Sequence, residues 1–313
     1  MEIQQAMQAV ERIMAEAVNS DVTLLRDASH HILGAGGKRI RPRLVFLSYA
    51  AAGGTDVENV APVAAAVELV HTASVVHDDI NDHGTIRRGR PSVNAIWGRT
   101  FALLTGDFLF TKVYELMAPY KDLNILLAEA TVALVEGETL QASAAKEGNL
   151  SREVYYQIIA LKTAALFKAG GQLGGELAGA SQEQIKALGE FGYNIGLAFQ
   201  IVDDILDLVG DTHQLGKSAG MDLAQGKGVG SVYAGNGTTA TNEGVAVAEA
   251  ENDENDPLAA IKRKILQGDA IEKAQMQAQM LVRQAISSLD VLPPSPAKDQ
   301  LIALASSVIE RDR

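Results

Sequence analysis

Between Gln182 and Val209 the chain carries Ile185, Leu188, Phe191, Ile195, Phe199, Val202 and Leu206 at spacings of three and four, with no proline to interrupt them. That pattern is the apolar stripe of an α-helix, and at about 1.5 Å per residue it spans roughly 40 Å. A helix of such length must bury its stripe against others of similar reach. The expected architecture is a large bundle with short turns between antiparallel neighbours.

The rest of the chain agrees with that constraint. Ala, Leu, Glu and Gln dominate, and β-branched alternation is scarce. Helices are expected over Gln5–Val18, Arg43–Ala52, Pro62–Asp82, Arg99–Met117, Leu123–Ala145, Arg152–Ala169, Leu258–Leu266, Ala270–Leu289 and Pro296–Glu310. Pro42 sits near the first turn of one helix, Gly53-Gly54 follow its end, and Pro119 stops another. Val63–Val70 is apolar nearly all round, Glu68 excepted, which places this helix in the middle of the bundle. The Gly-rich stretch Gly210–Gly230 reads as a loop. Tyr233–Asp256, small, polar and finally acidic, reads as a mobile surface segment. No internal repeat or linker divides the chain, so residues 1–313 are expected to form one all-α domain, a bundle of mostly antiparallel helices around a central cleft.

Composition narrows the function classes. With 47% hydrophobic and 21% charged residues the chain matches a soluble globular protein. The best candidate for a membrane span, Phe101–Met117, is broken by Asp107, Lys112 and Glu115, so no transmembrane segment is expected. An N-terminus with Glu2, Gln4, Gln5 and Glu11 reads as neither a signal nor a transit peptide. The absence of cysteine excludes disulfides and thiolate metal sites and fits the cytoplasm. A net charge of −12 argues against nucleic acid as a partner. It leaves room for an anionic small molecule in a cleft where local cations and metal set the field.

Two segments carry the chemistry. In His77-Asp78-Asp79-Ile80-Asn81-Asp82 the carboxylates of Asp78 and Asp82 are four apart and project from one helix face. Phe199-Gln200-Ile201-Val202-Asp203-Asp204-Ile205-Leu206-Asp207 repeats that geometry with Asp203 and Asp207. Like charges at this spacing repel unless a cation sits between them. Magnesium, a hard ion that binds one or two carboxylates together with substrate phosphates, suits the pair. Either cluster alone would read equally well as a solvated helix end; the repetition favours metal. A calcium loop starting at Asp79 fails because Arg90 stands where a bidentate Glu is required.

Basic runs flank these acidic pairs: Lys38-Arg39-Ile40-Arg41 after Gly36-Gly37, Arg87-Arg88-Gly89-Arg90 after the first cluster, Lys162 in a helix, and Lys217 and Lys227 after the second. In an acidic chain this arrangement fits phosphate and metal binding, Arg acting through its planar fork and Lys as a point charge. Gly210 to Ser218 approaches a P-loop, but its spacing is one residue too long and no strand precedes it.

These stretches, together with Glu68–Gly89, Gly106-Asp107, Gly137-Glu138-x-x-Gln141, Lys162-Thr163, Leu215-Gly216-Lys217 and Asp222 to Lys227, make the sequence similar to the trans-isoprenyl diphosphate synthases, or polyprenyl synthetases. The resemblance implies an isoprenoid-synthase-type helical fold, usually homodimeric. It implies an enzyme that condenses an allylic diphosphate with isopentenyl diphosphate into a linear all-trans polyprenyl diphosphate. It assigns Asp78, Asp79, Asp82, Asp203, Asp204 and Asp207 to magnesium. Arg87, Lys162, Thr163, Gln200, Lys217 and Lys227 go to the allylic diphosphate, and Lys38, Arg41, His71 and Arg88 to isopentenyl diphosphate. Taken alone, His71 and Gln200 read as an ordinary core histidine and helix glutamine. The small residues Ala73 and Ser74, about one helical turn before Asp78, imply a tunnel open to products longer than C15. One departure stands out: after Gly226-Lys227 the family's Thr-Leu-Pro-like stretch is replaced by Gly228-Val229-Gly230-Ser231. Two other readings remain at this point. A terpene cyclase shares the architecture but usually has an Asn/Ser/Glu-type second metal motif. A non-catalytic partner subunit would not need both Asp clusters.

Overall fold

The computed structural model describes residues 3–148, 151–209, 232 and 269–310. The expected segments at Gly210–Gly230, Tyr233–Asp256 and Leu258–Leu266, and with them Lys217 and Lys227, lie outside the described residues.

Among the described residues, apart from one two-stranded hairpin, the regular elements are helical and include α1 (Ile3–Ala17), α2 (Thr23–Gly34), α3 (Ile40–Ala51), α4 (Val57–Asn81), α5 (Val93–Trp97), α6 (Arg99–Met117), α7 (Lys121–Glu147), α8 (Arg152–Ile159), a π-helical turn (Ala160–Ala164), α9 (Ala165–Leu177), α10 (Gln182–Val209), α11 (Ala270–Ser288) and α12 (Pro296–Ile309). The hairpin joins β1 (Ile86–Arg87) to β2 (Arg90–Pro91), with Ile86 opposite Pro91 and Arg87 opposite Arg90. The ends of α6 and α10 fall where the periodicity puts them. α4 begins a turn earlier than expected because Asp56 accepts a hydrogen bond from the Glu58 amide and caps it, so Pro62 lies inside the helix. α2 and the hairpin are not among the expected elements: Leu24, Leu25, Ala28, Ile32 and Leu33 do give α2 a helical stripe, whereas strands of two residues carry no period.

α4 is the central rod, packed against α6, α1 and α3. Every residue from Val63 to Val70 is buried, Glu68 included. By length and composition α4 would pass for a membrane span, which the sequence reading missed. But 72% of its most apolar window is buried inside the protein, as a core helix requires. One apolar core surrounds α4 with α1, α6 and α7. A second joins α3 and α9 to α10, α11 and α12.

α9 and α10 approach unusually closely. A Cβ on Gly171 would overlap the backbone carbonyl of Leu188. Glycine is therefore dictated here by helix separation, and that separation carries α10 up to the wall of a cavity between the two cores.

Candidate active site

The cavity has a volume of about 750 Å³ and takes side chains from both cores. α4 contributes His71, Ser74, Val75 and Asp78; α10 contributes Phe199, Gln200, Asp203, Leu206 and Asp207. The two acidic clusters therefore open onto one hollow. Its remaining walls are basic. Lys38 and Arg41 come from the entry to α3, Arg87 and Arg88 from the hairpin, and Lys162 and Thr163 from the π-helical turn.

The middle carboxylates of the two triplets do not line the cavity. Asp79 is buried, and its Oδ1 accepts from Arg87 Nε at 2.9 Å, while Oδ2 has no hydrogen-bond partner. Burial raises its pKa against the pull of Arg87. Asp204 is also buried; it accepts from the Tyr155 hydroxyl at 2.7 Å and from Gln200 Nε2 at 2.9 Å. Asp79 and Asp204 thus hold groups that reach the cavity. Asp82 caps the end of α4 without reaching the cavity wall.

The hairpin aims the arginines. Arg88 and Gly89 both have positive φ, 52° and 72°, the signature of a tight primed turn. A non-glycine residue in this region carries strain. Arg88 is held there by a hydrogen bond from its guanidinium to the Gly36 carbonyl. Arg39, grouped with Lys38 and Arg41 in the sequence, has a different task. Its guanidinium is buried and bonded to Glu11 at 2.6 Å and Glu68 at 2.9 Å, tying α1 to α4 beneath the site. The lone carboxylate within the apolar stretch Val63–Val70 was the signal that Glu68 has a buried partner.

Arg41 stacks over the Phe167 ring at 4.7 Å, and its Nε is buried with no hydrogen-bond partner. Burial lowers its pKa to about 10, although Glu68 and Asp203 oppose the shift. A half-buried guanidinium with an unmatched Nε donor at a cavity wall is suited to an anion. His71 is held well below the usual histidine range by burial and by Arg41, Arg88, Arg87 and Arg39, so its imidazole is neutral at pH 7.

Lys162 occupies the opposite side. Its ammonium donates to Gln141 Oε1 at 2.8 Å, pairs with Glu138, and lies 3.5 Å from Asp78 Oδ2. Burial disfavours the charge, yet Asp78 and Glu138 outweigh burial and raise the lysine pKa. Burial pushes Asp78 up to about 7; Lys162 opposes this, while Glu138 and Asp82 add to it. Glu138 and Gln141 belong to a stretch the sequence singled out, but one-dimensional spacing assigned them no role. Gly137 explains their reach: a Cβ there would lie 2.5 Å from the Lys162 amide nitrogen, so only glycine lets α7 close on the π-helical turn.

Among the described residues no three acidic or histidine side chains already converge as a closed metal cage. What the cavity offers is an open set of hard oxygen donors, Asp78, Asp203 and Asp207, sharing its wall with cations. That donor set fits a divalent ion that retains water and completes its shell with phosphate oxygens. Of the two small residues expected to leave the tunnel open to longer products, Ser74 lines the cavity, whereas Ala73 is fully buried in the core around α4. A second, much smaller hollow lies against α4, between Val70, Phe110, Tyr114 and Leu127.

Comparison with known proteins bears on this arrangement. Residues 22–256 match the family described as polyprenyl synthetase. The chain is 34% identical to an octaprenyl diphosphate synthase of Escherichia coli (strain K12), over 99% of this chain and 97% of that protein. It is 39% identical to a short chain isoprenyl diphosphate synthase of Methanothermobacter thermautotrophicus, covering 93% of this chain and 91% of that protein. Its fold superimposes with a TM-score of 0.88 on a polyprenyl synthase from Caulobacter crescentus, solved with calcium and isoprenyl diphosphate. That pair shares 31% identity over 99% of this chain and 96% of the other.

Proposed function

Because the chain belongs to the polyprenyl synthetase family, whose members transfer prenyl groups, we propose that its cavity condenses an allylic diphosphate with isopentenyl diphosphate to give a linear all-trans polyprenyl diphosphate longer than C15. The observation that carries this reading is the opening of both Asp clusters onto one cation-ringed cavity. Asp78, Asp203 and Asp207 would hold magnesium, which when bound offsets the charge of the departing diphosphate. Asp79, Asp82 and Asp204 would orient the groups around them. Lys162 and Arg87 would face the allylic diphosphate; Thr163 and Gln200, whose protons are engaged within the wall, would lie beside its reacting carbon; and Lys38, Arg41, His71 and Arg88 would face the isopentenyl diphosphate.

The chemistry follows from this charge layout. Cations that bind the diphosphate more tightly as it gains charge lower the barrier to breaking the allylic C–O bond. The isopentenyl double bond then attacks the allylic carbon, and the departing diphosphate takes the proton lost from the adduct. Phe199, Leu206 and Leu134 on the wall keep water from the cationic carbon. No side chain needs to act as a nucleophile. A homodimer is supported by exposed apolar side chains on α6 (Phe101, Leu104) and α7 (Ile125, Val132, Val135), an area a second copy would cover. The absence of cysteine fits a reducing cytoplasm.

The test is direct. Purified protein, magnesium, labelled isopentenyl diphosphate and a short allylic diphosphate should yield linear chains, and EDTA should abolish them. Sedimentation of the same sample should give the mass of two chains. Cyclic hydrocarbon, or no turnover with intact fold, would overturn the reading.

Asp78, Ser74 and Val70 stand at successive intervals of four along α4, and Leu134, Thr131 and Leu127 form a matching row on α7. Both rows lead from the acidic cluster to the smaller hollow, a path for the growing chain. Ser74→Phe should fill this path and shorten the products by several isoprene units, with turnover of the first condensation retained. An unchanged product ladder on reversed-phase chromatography would refute this path.

A further inference from the structure

Behind the cavity wall, Thr163, Gln200, Asp204 and Tyr155 form a directed hydrogen-bond chain. The Tyr155 hydroxyl donates to Asp204 Oδ2 at 2.7 Å, Gln200 Nε2 donates to Asp204 Oδ1 at 2.9 Å, and Thr163 Oγ1 donates to Gln200 Oε1 at 2.8 Å. Thr163 and Gln200 line the cavity; Tyr155 does not, and only 3% of it is exposed.

The direction of this chain is forced. A carboxamide has one accepting and one donating end, and a carboxylate can only accept. Asp204 therefore compels Gln200 to turn its NH₂ inward, leaving its oxygen toward Thr163. Thr163 spends its single proton on that oxygen, so its own oxygen faces the cavity with lone pairs only. The wall thus presents electronegative atoms where positive charge would develop. The Tyr155 hydroxyl, carried on α8 and delivered across the π-helical turn, is one of the groups that hold Asp204 in register.

We propose that Tyr155 is a positioning residue for the transfer reaction, acting through Asp204 to fix the orientation of the Gln200 carboxamide and the Thr163 hydroxyl. This role rests on the prenyl-transfer reading of the cavity. Without the phenol, Asp204 loses a hydrogen bond to its charged form, and its hold on the Gln200 carboxamide weakens. Gln200 is then free to flip and point N–H protons at the developing cation, which opposes the reaction.

Tyr155→Phe keeps the ring and its packing. It should shift the ¹H–¹⁵N signals of the Gln200 side-chain amide, assigned by comparison with Gln200→Ala, in protein without substrate. It should lower kcat about tenfold, the usual scale for loss of a supporting hydrogen bond, with the KM for isopentenyl diphosphate unchanged. In a Gln200→Ala background it should have no further effect on kcat. Unmoved Gln200 signals, or an equal loss of kcat in both backgrounds, would overturn the role. The spectrum needs no turnover, so an inactive wild-type protein would refute the prenyl-transfer reading while leaving the positional claim to be judged by the Gln200 signals.

Discussion

Asp78→Asn is expected to lower kcat by about 10³-fold while the metal-free protein unfolds at the same temperature or higher. Both halves follow from the carboxylate's surroundings. Asp78 lies near Glu138 and Asp82, which raise its pKa along with burial, and Lys162 is shared between Asp78 and Glu138. Neutralising Asp78 relieves like-charge repulsion, and Lys162 keeps its contacts to Glu138 and Gln141. The fold therefore loses little. The reaction loses an oxygen donor on the α4 side of the cavity, where the diphosphate must be met by positive charge. Such opposition between stability and activity is expected where like charges are gathered for function. Steady-state turnover with labelled isopentenyl diphosphate, set beside thermal unfolding in EDTA, checks both. More than a tenth of wild-type turnover would rule out Asp78 as a principal ligand.

The largest structural effect is expected at Gly171. Alanine or valine normally raises helix propensity over glycine, by up to about 1 kcal/mol. Here the new Cβ meets the Leu188 carbonyl, a backbone atom that cannot swing aside. α9 and α10 must then separate, and Gly171→Val should cost about 3 kcal/mol. Because α10 carries the second acidic cluster and α9 continues from the π-helical turn, turnover should fall with stability. Gly34→Ala is the control: the nearest atom to its Cβ would be Arg90 Nη1 at 3.9 Å. That variant should stay within about 0.5 kcal/mol of wild type. Denaturant unfolding of both variants decides the matter, and equal midpoints would refute the close-contact argument.

Regular spacing was legible in the sequence; encounters between distant segments were not. The two acidic triplets could be placed on helix faces because a spacing of four fixes their direction. The α10 limits follow from an unbroken apolar stripe. Arg39 shows the opposite case. It sits in a basic run next to Lys38 and Arg41, yet Glu11, more than two dozen residues away in sequence, draws it under the site. The tasks of Glu138, Gln141 and Tyr155 likewise depend on which helix each one meets. Asp79 and Asp204 share a motif with their neighbours, but the helical turn rotates them off the cavity face. Ala73 and Ser74 look interchangeable as small residues until α4 is packed, when one faces the core and the other the path of the chain.

The π-helical turn at Ala160–Ala164 leaves the two flanking helices out of phase. Its extra residue advances one by about 100° relative to an unbroken α-helix. A helical wheel drawn at constant pitch from Arg152 to Leu177 therefore scrambles inner and outer positions on one side of Lys162. Deleting a single residue from this turn would return it to α-helical pitch with Tyr155 still on its present bearing, while removing the bulge that carries Lys162 and Thr163 to the cavity. In this stretch the phase of the winding is itself inherited information.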